Sequence, residues 1–308
     1  MPEPLLLAAI AAQPAQPVQP TQDIPPVVAV ETQRSQSIQA EKARLDRLLR
    51  QLRKNVNPEP SGTVTEFSPS LERPRSGSQL YSQRAAALTG GHIHTRLPAS
   101  SFRASWATSV QQPTYEQWKW LLAQEAASVR GTNQPVGVLL GDSLSLWFPS
   151  DRLPQTRLWL NQGISGDTTT GILRRLSSFA HARPRIVYVM AGVNDLKHGV
   201  SDATILRNLQ QIIQQLRQTH PQAQIVMQSL LPTRSLPVSS QRITHLNQQL
   251  KAITQQNGAY YLDVYSHMAD ATGYLQADLT TDGLHLNARG YEVWQSVLNR
   301  AEAQIASK

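Results

Sequence analysis

The chain contains no cysteine, which removes disulfides, thiolate metal sites and a cysteine nucleophile from consideration. Long apolar runs are missing too. The longest near the start, Leu5 to Ala12, is far shorter than the roughly 20 residues a bilayer requires, and it follows Met-Pro-Glu rather than a basic leader. It makes a poor transmembrane helix and a poor signal peptide, so a cytoplasmic location is favoured. Charge is not segregated either. The net charge of +8 comes from 14 basic against 10 acidic residues before Gln134 and 15 against 11 from Pro135 onward. No stripe of alternating aromatic and basic residues accompanies that excess, so no nucleic-acid partner is expected.

What is present is unevenly spread. Of 308 residues 40% are hydrophobic, ample for one sizeable core. Yet 12 of the 20 prolines fall within the first 100 residues, interleaved with Gln, Ser and Ala. Such a composition cannot bury enough apolar surface to offset the entropy of ordering. Residues 1 to 104 therefore read as low-complexity and mostly disordered, with 55 to 104 as linker, and residues 105 to 308 as the globular domain. One segment breaks the pattern. Ser37 to Lys54 sets Ile38, Leu45, Leu48, Leu49 and Leu52 at helical spacing among Arg and Lys, a basic amphipathic helix. It suits peripheral contact with a membrane surface or a protein partner, or packing on its own domain.

From Pro113 onward strands and helices alternate. A helix carrying Tyr115, Trp118, Leu121, Leu122, Ala126 and Val129 leads into short, nearly continuous apolar runs at Val136 to Gly141, Leu158 to Ile164, Ile186 to Ala191, Ile225 to Leu230 and Tyr260 to Val264. Such runs fit strands covered on both faces. Helices are expected over Thr169 to Ala180, Asp202 to Thr219 and Ser240 to Gln256, with a last one capped by Asn287. The pattern predicts a three-layer α/β/α sandwich around a five-stranded parallel sheet.

In such sheets ligands bind outside the carboxyl ends of the strands. There the chain places Gly141-Asp142-Ser143-Leu144-Ser145 after the first strand, Ile164-Ser165-Gly166-Asp167 after the second and Gly192-Val193-Asn194-Asp195 after the third. Asp282-Gly283-Leu284-His285 precedes the final helix. Any one block alone reads as turn or cap chemistry. Three consecutive strands each delivering a polar block toward one rim do not. A serine hydroxyl needs a base to take its proton, and His285 is the only histidine inside a block. Asp282, three residues earlier, is placed to hold its tautomer. The second glycine of a Gly-x-Ser-x-Gly elbow is missing after Ser143, which argues against the α/β-hydrolase fold.

These blocks resemble those of the SGNH hydrolases, the GDSL esterase and lipase family, over about residues 134 to 302. The second block, Asn161 to Thr168, is similar to that of bacterial lysophospholipase and thioesterase members and of platelet-activating-factor acetylhydrolase-like members. The resemblance implies a flavodoxin-like sheet, catalytic Ser143, Asp282 and His285, and an oxyanion hole made by the Ser143 and Gly166 amides and the Asn194 side chain. It implies hydrolysis of small-molecule carboxylic esters through an acyl-serine, with no cofactor and no metal. Two alternatives stand beside it: an acyl (acetyl) transferase using the same triad, and a non-catalytic flavodoxin-like binding module. Asp142 and Asp195 read as braces for their loops. His92 and His94 have no partner carboxylate nearby in sequence, so a zinc site is not expected there. The remaining histidines, His181, His198, His220, His245 and His267, fall at element ends and on exposed faces; His198 is the one placed to line a pocket. Trp147, Phe148 and Pro149, with Leu230, Leu231 and Pro232, are candidates for an apolar rim.

Overall fold

The computed structural model describes residues 73 to 306 other than Thr108, Val110, Leu236 and Pro237. The run Leu5 to Ala12 and the helix expected over Ser37 to Lys54 lie outside the described residues.

Five short runs pair in parallel: β1 (Val136–Gly141), β2 (Leu158–Gly163), β3 (Ile186–Met190), β4 (Gln224–Gln228) and β5 (Tyr260–Leu262). Their spatial order is β2-β1-β3-β4-β5, the flavodoxin-like order. The direction of winding reverses at β1, so a crevice opens at the carboxyl ends of β1 and β3. The helices are α1 (Gly77–Thr89) and α2 (Tyr115–Ser128) ahead of β1, α3 (Ser143–Leu146) after β1 and α4 (Thr169–Arg174) after β2. Next come α5 (Val193–Lys197), α6 (Asp202–Thr219), α7 (Ser240–Gln256), α8 (Tyr265–Met268) and α9 (Ala288–Ala306).

Successive strand residues point to opposite faces, and both faces are covered. Val138, Leu140, Val187, Val189 and Met227 pack with the apolar stripes of α6 and α7, led by Ile205, Leu209, Ile212, Leu246 and Leu250. Leu139, Tyr188, Met190 and Val226 pack on the other side with Tyr291, Trp294, Val297 and Leu298 of α9. Side-chain caps fix where the helices begin: Thr168, Ser201 and Ser239 accept from backbone NH groups of α4, α6 and α7, and Asn287 Oδ1 accepts from Gly290 N at 3.0 Å.

Two expectations are corrected. The helix read over Thr169 to Ala180 stops at Arg174 and resumes as a single 3₁₀ turn, Leu176–Phe179. Arg175, between them, is fully buried and donates from Nε to Asp167 Oδ2 at 2.6 Å, a pull that breaks the helical path. The second correction concerns the segment read as linker. Its described part, residues 73 to 104, is structured and packed. Helix α1 buries Leu80, Tyr81, Arg84 and Ala85 to Ala87, and Thr95 Oγ1 donates to the Trp159 carbonyl at 2.6 Å. The Arg84 guanidinium lies 5.6 Å over the Trp118 ring and donates to Glu125 at 3.0 and 2.5 Å and to the Asn161 carbonyl at 2.7 Å. Three consecutive alanines and an inward arginine give α1 no apolar stripe, which is why a pattern search passes over it.

Burial works to raise the Glu125 carboxyl, and the Arg84 charge overrides this and holds it down at about 2. Both side chains are essentially inaccessible to solvent. Arg84→Ala therefore removes the guanidinium that pairs with this buried carboxylate and leaves only His94 Nδ1 at 3.3 Å beside it, and a loss of about 3 kcal/mol is expected in urea unfolding. A loss below about 1 kcal/mol, the range of an exposed pair, would show that α1 contributes little to the domain.

Candidate active site

Ser143 is the first residue of α3, a single helical turn set directly on the end of β1. Asp142 caps that turn, its Oδ1 accepting from Leu144 N at 2.9 Å. Three further anchors hold the turn. Asn161 Nδ2 donates to the Ser145 and Leu146 carbonyls at 2.7 and 3.2 Å, and the Tyr291 hydroxyl donates to the Leu144 carbonyl at 3.1 Å. Arg175 Nη2 donates to the Gly141 carbonyl at 2.9 Å. Ser143 is 8% exposed, so its hydroxyl meets solvent from one side only.

Opposite it stands the loop between α8 and α9. An isolated antiparallel bridge between Thr280 and Leu286 closes the loop at its base. Gly283 takes φ +85°, which favours glycine, and its carbonyl accepts from Arg234 N at 2.8 Å and Thr233 Oγ1 at 3.0 Å. Within this frame Asp282 Oδ1 accepts from the His285 and Leu284 amides at 2.7 and 2.9 Å, and its Oδ2 lies 2.7 Å from His285 Nδ1. His285 Nε2 faces the Ser143 hydroxyl at 3.2 Å. Desolvation, the largest single effect, pushes the Asp282 carboxyl up, and the hydrogen bonds from His285 and Leu284 together outweigh it and bring the group to about 2. Asp282 is thus an anion throughout the neutral range, oriented toward one ring nitrogen while the other faces the serine.

Gly166 sits at φ +78° in open space, where no atom would meet a side chain. Buried Asn194 is the second residue of α5, and its Nδ2 donates to the Asp167 carbonyl at 2.9 Å, tying the third-strand block to the second. An amide nitrogen carries two hydrogens, so one further donor remains. Asp195 accepts from Thr169 N and Oγ1 at 2.8 and 2.6 Å, and Asp167 pairs with Arg175 beneath the site.

A serine, a histidine and a carboxylate thus stand in continuous contact on the rim of a 2-1-3-4-5 sheet. The sequence profile of the GDSL-like Lipase/Acylhydrolase family matches residues 126–293. The chain belongs to that family. It is accordingly an enzyme that hydrolyses ester bonds, with small-molecule esters as its substrate class. It is 30% identical over 173 residues to platelet-activating factor acetylhydrolase IB subunit alpha1 of Pongo abelii, covering 51% of this chain and 71% of that one. The human counterpart is 29% identical over 171 residues with the same coverage. The fold is that of a GDSL-like lipase from Bacteroides thetaiotaomicron (TM-score 0.51, 19% identity, 60% of this chain and 98% of that one). It is equally that of a candidate platelet activating factor from Streptococcus pneumonia (TM-score 0.55, 24% identity, 60% and 91%).

Some residues of this GDSL-like acylhydrolase lie elsewhere than expected. His94 is partly buried with its Nδ1 3.3 Å from the Glu125 carboxylate, a partner 31 residues away in sequence that spacing does not reveal. Burial and the adjacent Arg84 charge both lower its ring below the ordinary imidazole range. Among the described residues no cluster of three metal-ligating side chains forms. His220 does fall at the end of α6, but it is buried and stacked on Phe179 at 5.4 Å rather than exposed. His198 is exposed at the end of α5. Of the expected apolar rim, Phe148 turns into the core against Trp294 at 5.0 Å, and Leu230 and Leu231 are buried as well. The anchors Asn161, Arg175 and Tyr291 escape sequence reasoning, because nothing local marks a side chain that bonds to a distant carbonyl.

Asp142 behaves unlike Asp282. Complete burial raises its carboxyl to about 7 against the pull of the Leu144 amide, with the Asp167 and Asp195 charges adding to the rise, and its Oδ2 has no hydrogen-bond partner. A folded-state value above the ordinary carboxylate one means that the native state holds a proton the unfolded chain gives up. Stability is therefore lost as pH rises from about 4 to about 7. Asp142→Asn keeps the acceptor for Leu144 and removes the titration. The variant is expected to gain stability over the native chain in urea unfolding at pH 8 relative to pH 5; equal curves at both values would place an ionised Asp142 in the fold.

Proposed function

We propose that the enzyme cleaves carboxylic esters through an acyl-serine intermediate, with Ser143 as nucleophile, His285 as general base and then acid, and Asp282 as the group that fixes the imidazole. One observation carries the reading: the unbroken line from Asp282 Oδ2 to His285 Nδ1 at 2.7 Å and from His285 Nε2 to Ser143 Oγ at 3.2 Å. In this scheme the imidazole takes the Ser143 proton as the oxygen attacks the ester carbonyl, then passes it to the leaving alcohol as the acyl-serine forms. Water attacks the acyl-serine in the second half, activated by the same ring.

The tetrahedral intermediates need donors where negative charge develops. The Ser143 and Gly166 amides and the second Asn194 Nδ2 hydrogen are assigned that role. The His285 and Asp282 side chains are 41% and 52% exposed, so water reaches the base, which favours hydrolysis over transfer to a second alcohol. Esterase, lysophospholipase and thioesterase substrates all fit this chemistry.

Steady-state kinetics on a soluble ester tests the roles. Asp282→Asn is expected to lower kcat by up to ~10⁴, as loss of a tautomer-fixing carboxylate does elsewhere. Asn194→Ala is expected to lower kcat about 10²- to 10³-fold with little change in KM, the mark of a transition-state donor. A raised KM at constant kcat for Asn194→Ala would make that side chain a substrate-binding group, and a mild Asp282→Asn effect would leave His285 oriented by something else.

A further inference from the structure

Strand β2 lies at one edge of the sheet, with β1 on one side and, among the described residues, no strand on the other. The Leu158 and Ile164 amides donate to the Pro135 and Gly141 carbonyls, so by alternation along the strand the Trp159 and Asn161 carbonyls face the open edge. Both are received by side chains from ahead of the matched family region. Thr95 Oγ1 donates to the Trp159 carbonyl at 2.6 Å and Arg84 Nη2 to the Asn161 carbonyl at 2.7 Å. The segment stands where a further strand would, and it satisfies backbone acceptors that burial would otherwise leave unpaired.

Of these two edge residues, Asn161 also holds the site, and its side chain is fully committed. Its Oδ1 accepts from Gly163 N at 3.0 Å, which fixes the orientation of the amide, and its Nδ2 directs both hydrogens to the Ser145 and Leu146 carbonyls at 2.7 and 3.2 Å. Those carbonyls end the four-residue helix that Ser143 begins. Arg84 is held just as firmly: it donates to both Glu125 oxygens at 3.0 and 2.5 Å, lies 5.6 Å over the Trp118 ring and is inaccessible to solvent.

We propose that Arg84 is a positioning residue for catalysis: it fixes Asn161 at the open edge of β2, and through Asn161 it fixes the turn that carries Ser143. The proposal rests on the reading of Ser143 as nucleophile given above. The partners of Arg84 are Glu125 and Asn161, not Ser143, His285 or Asp282, so it acts through another residue. What it sets is where the Ser143 oxygen stands relative to His285 Nε2, 3.2 Å away. A misplacement of about 1 Å in a reacting group costs on the order of 10² in rate, so a modest shift of the turn registers in kcat. KM holds, because the shift changes the attack and not the binding of the ester.

The test is steady-state hydrolysis of 4-nitrophenyl acetate by variants of the full chain, with urea unfolding of each. Arg84→Met combined with Glu125→Leu removes the ion pair as a unit and puts apolar groups in its place, a change that is often neutral for stability. Its kcat is expected to fall about tenfold at unchanged KM, with the unfolding midpoint near that of the native chain. Arg84→Lys keeps a cation for Glu125 but loses the planar fork that serves carboxylate and carbonyl together, and kcat is expected to fall in the same direction. Asn161→Asp keeps the acceptor for Gly163 N and turns an oxygen toward the two carbonyls; its kcat is expected to fall at least as far. Thr95→Val is the control, because it removes the other edge hydrogen bond from a residue that does not anchor the turn, and its kcat is expected to stay within about twofold of native.

Full kcat in the folded Arg84 variants, or in Asn161→Asp, would overturn the proposal. So would an equal fall in Thr95→Val, which would make docking of the whole segment the cause, or a fall that vanishes once activity is counted per folded chain. Ser143→Ala reads the other question separately: full activity there removes Ser143 as the nucleophile, whatever the remaining variants do.

Discussion

The turn that carries Ser143 can sit on the sheet only because Gly141 and Gly163 carry no side chain. A Cβ at Gly141 would collide with the Ser145 hydroxyl and the Met190 carbonyl, and one at Gly163 with the backbone of Leu146. Closeness here is what converts a strand end into a site. It brings the Ser145 and Leu146 carbonyls within reach of Asn161 on the neighbouring strand and lets Arg175 reach the Gly141 carbonyl from below. Ser143 is thereby held by β1, β2 and, through Tyr291, by α9, so its position is set by the rigid part of the molecule. Preorganisation of this kind is what transition-state stabilisation by fixed dipoles demands.

Two fully buried ion pairs organise what surrounds that turn. Arg175 with Asp167 lies beneath the second block, where the Asp167 carbonyl also receives Asn194. Arg84 with Glu125 joins α1 to α2, and Arg84 reaches the carbonyl of Asn161, the residue that anchors the turn carrying Ser143. A buried pair adds little net stability over an apolar one, but removing one partner is costly, so each pair fixes a single arrangement. The segment ahead of the family domain is in this way connected to the site by one chain of contacts.

The α/β order and the four polar blocks are legible in the sequence because strands buried on both faces and strand-end loops leave local signatures. Val136 to Gly141, Asp202 to Thr219 and Ser240 to Gln256 match their expected limits. Asp282 and His285 are readable for the same reason, sitting three residues apart in one loop. Residues whose role depends on distant partners are not readable. Arg84 looks like a surface charge in a proline-rich stretch until Glu125, 41 residues later, is placed against it, and His94 looks unpartnered for the same reason. Arg175 reads as the continuation of a helix, and only its ion pair with Asp167 shows why the helix ends before it. Trp147 and Phe148 are adjacent in sequence yet Phe148 is buried in the core while Trp147 packs on its edge partly exposed, a difference that depends on where a single-turn helix ends.

The central claim is that Ser143 is the residue acylated in turnover. Treatment of the full chain with a serine-directed fluorophosphonate, followed by peptide mapping by mass spectrometry, measures it directly. One phosphonate adduct per chain is predicted, on the peptide containing Gly141-Asp142-Ser143, abolished in Ser143→Ala and strongly slowed in His285→Ala. An adduct on another serine, or undiminished labelling of Ser143→Ala, would contradict the account.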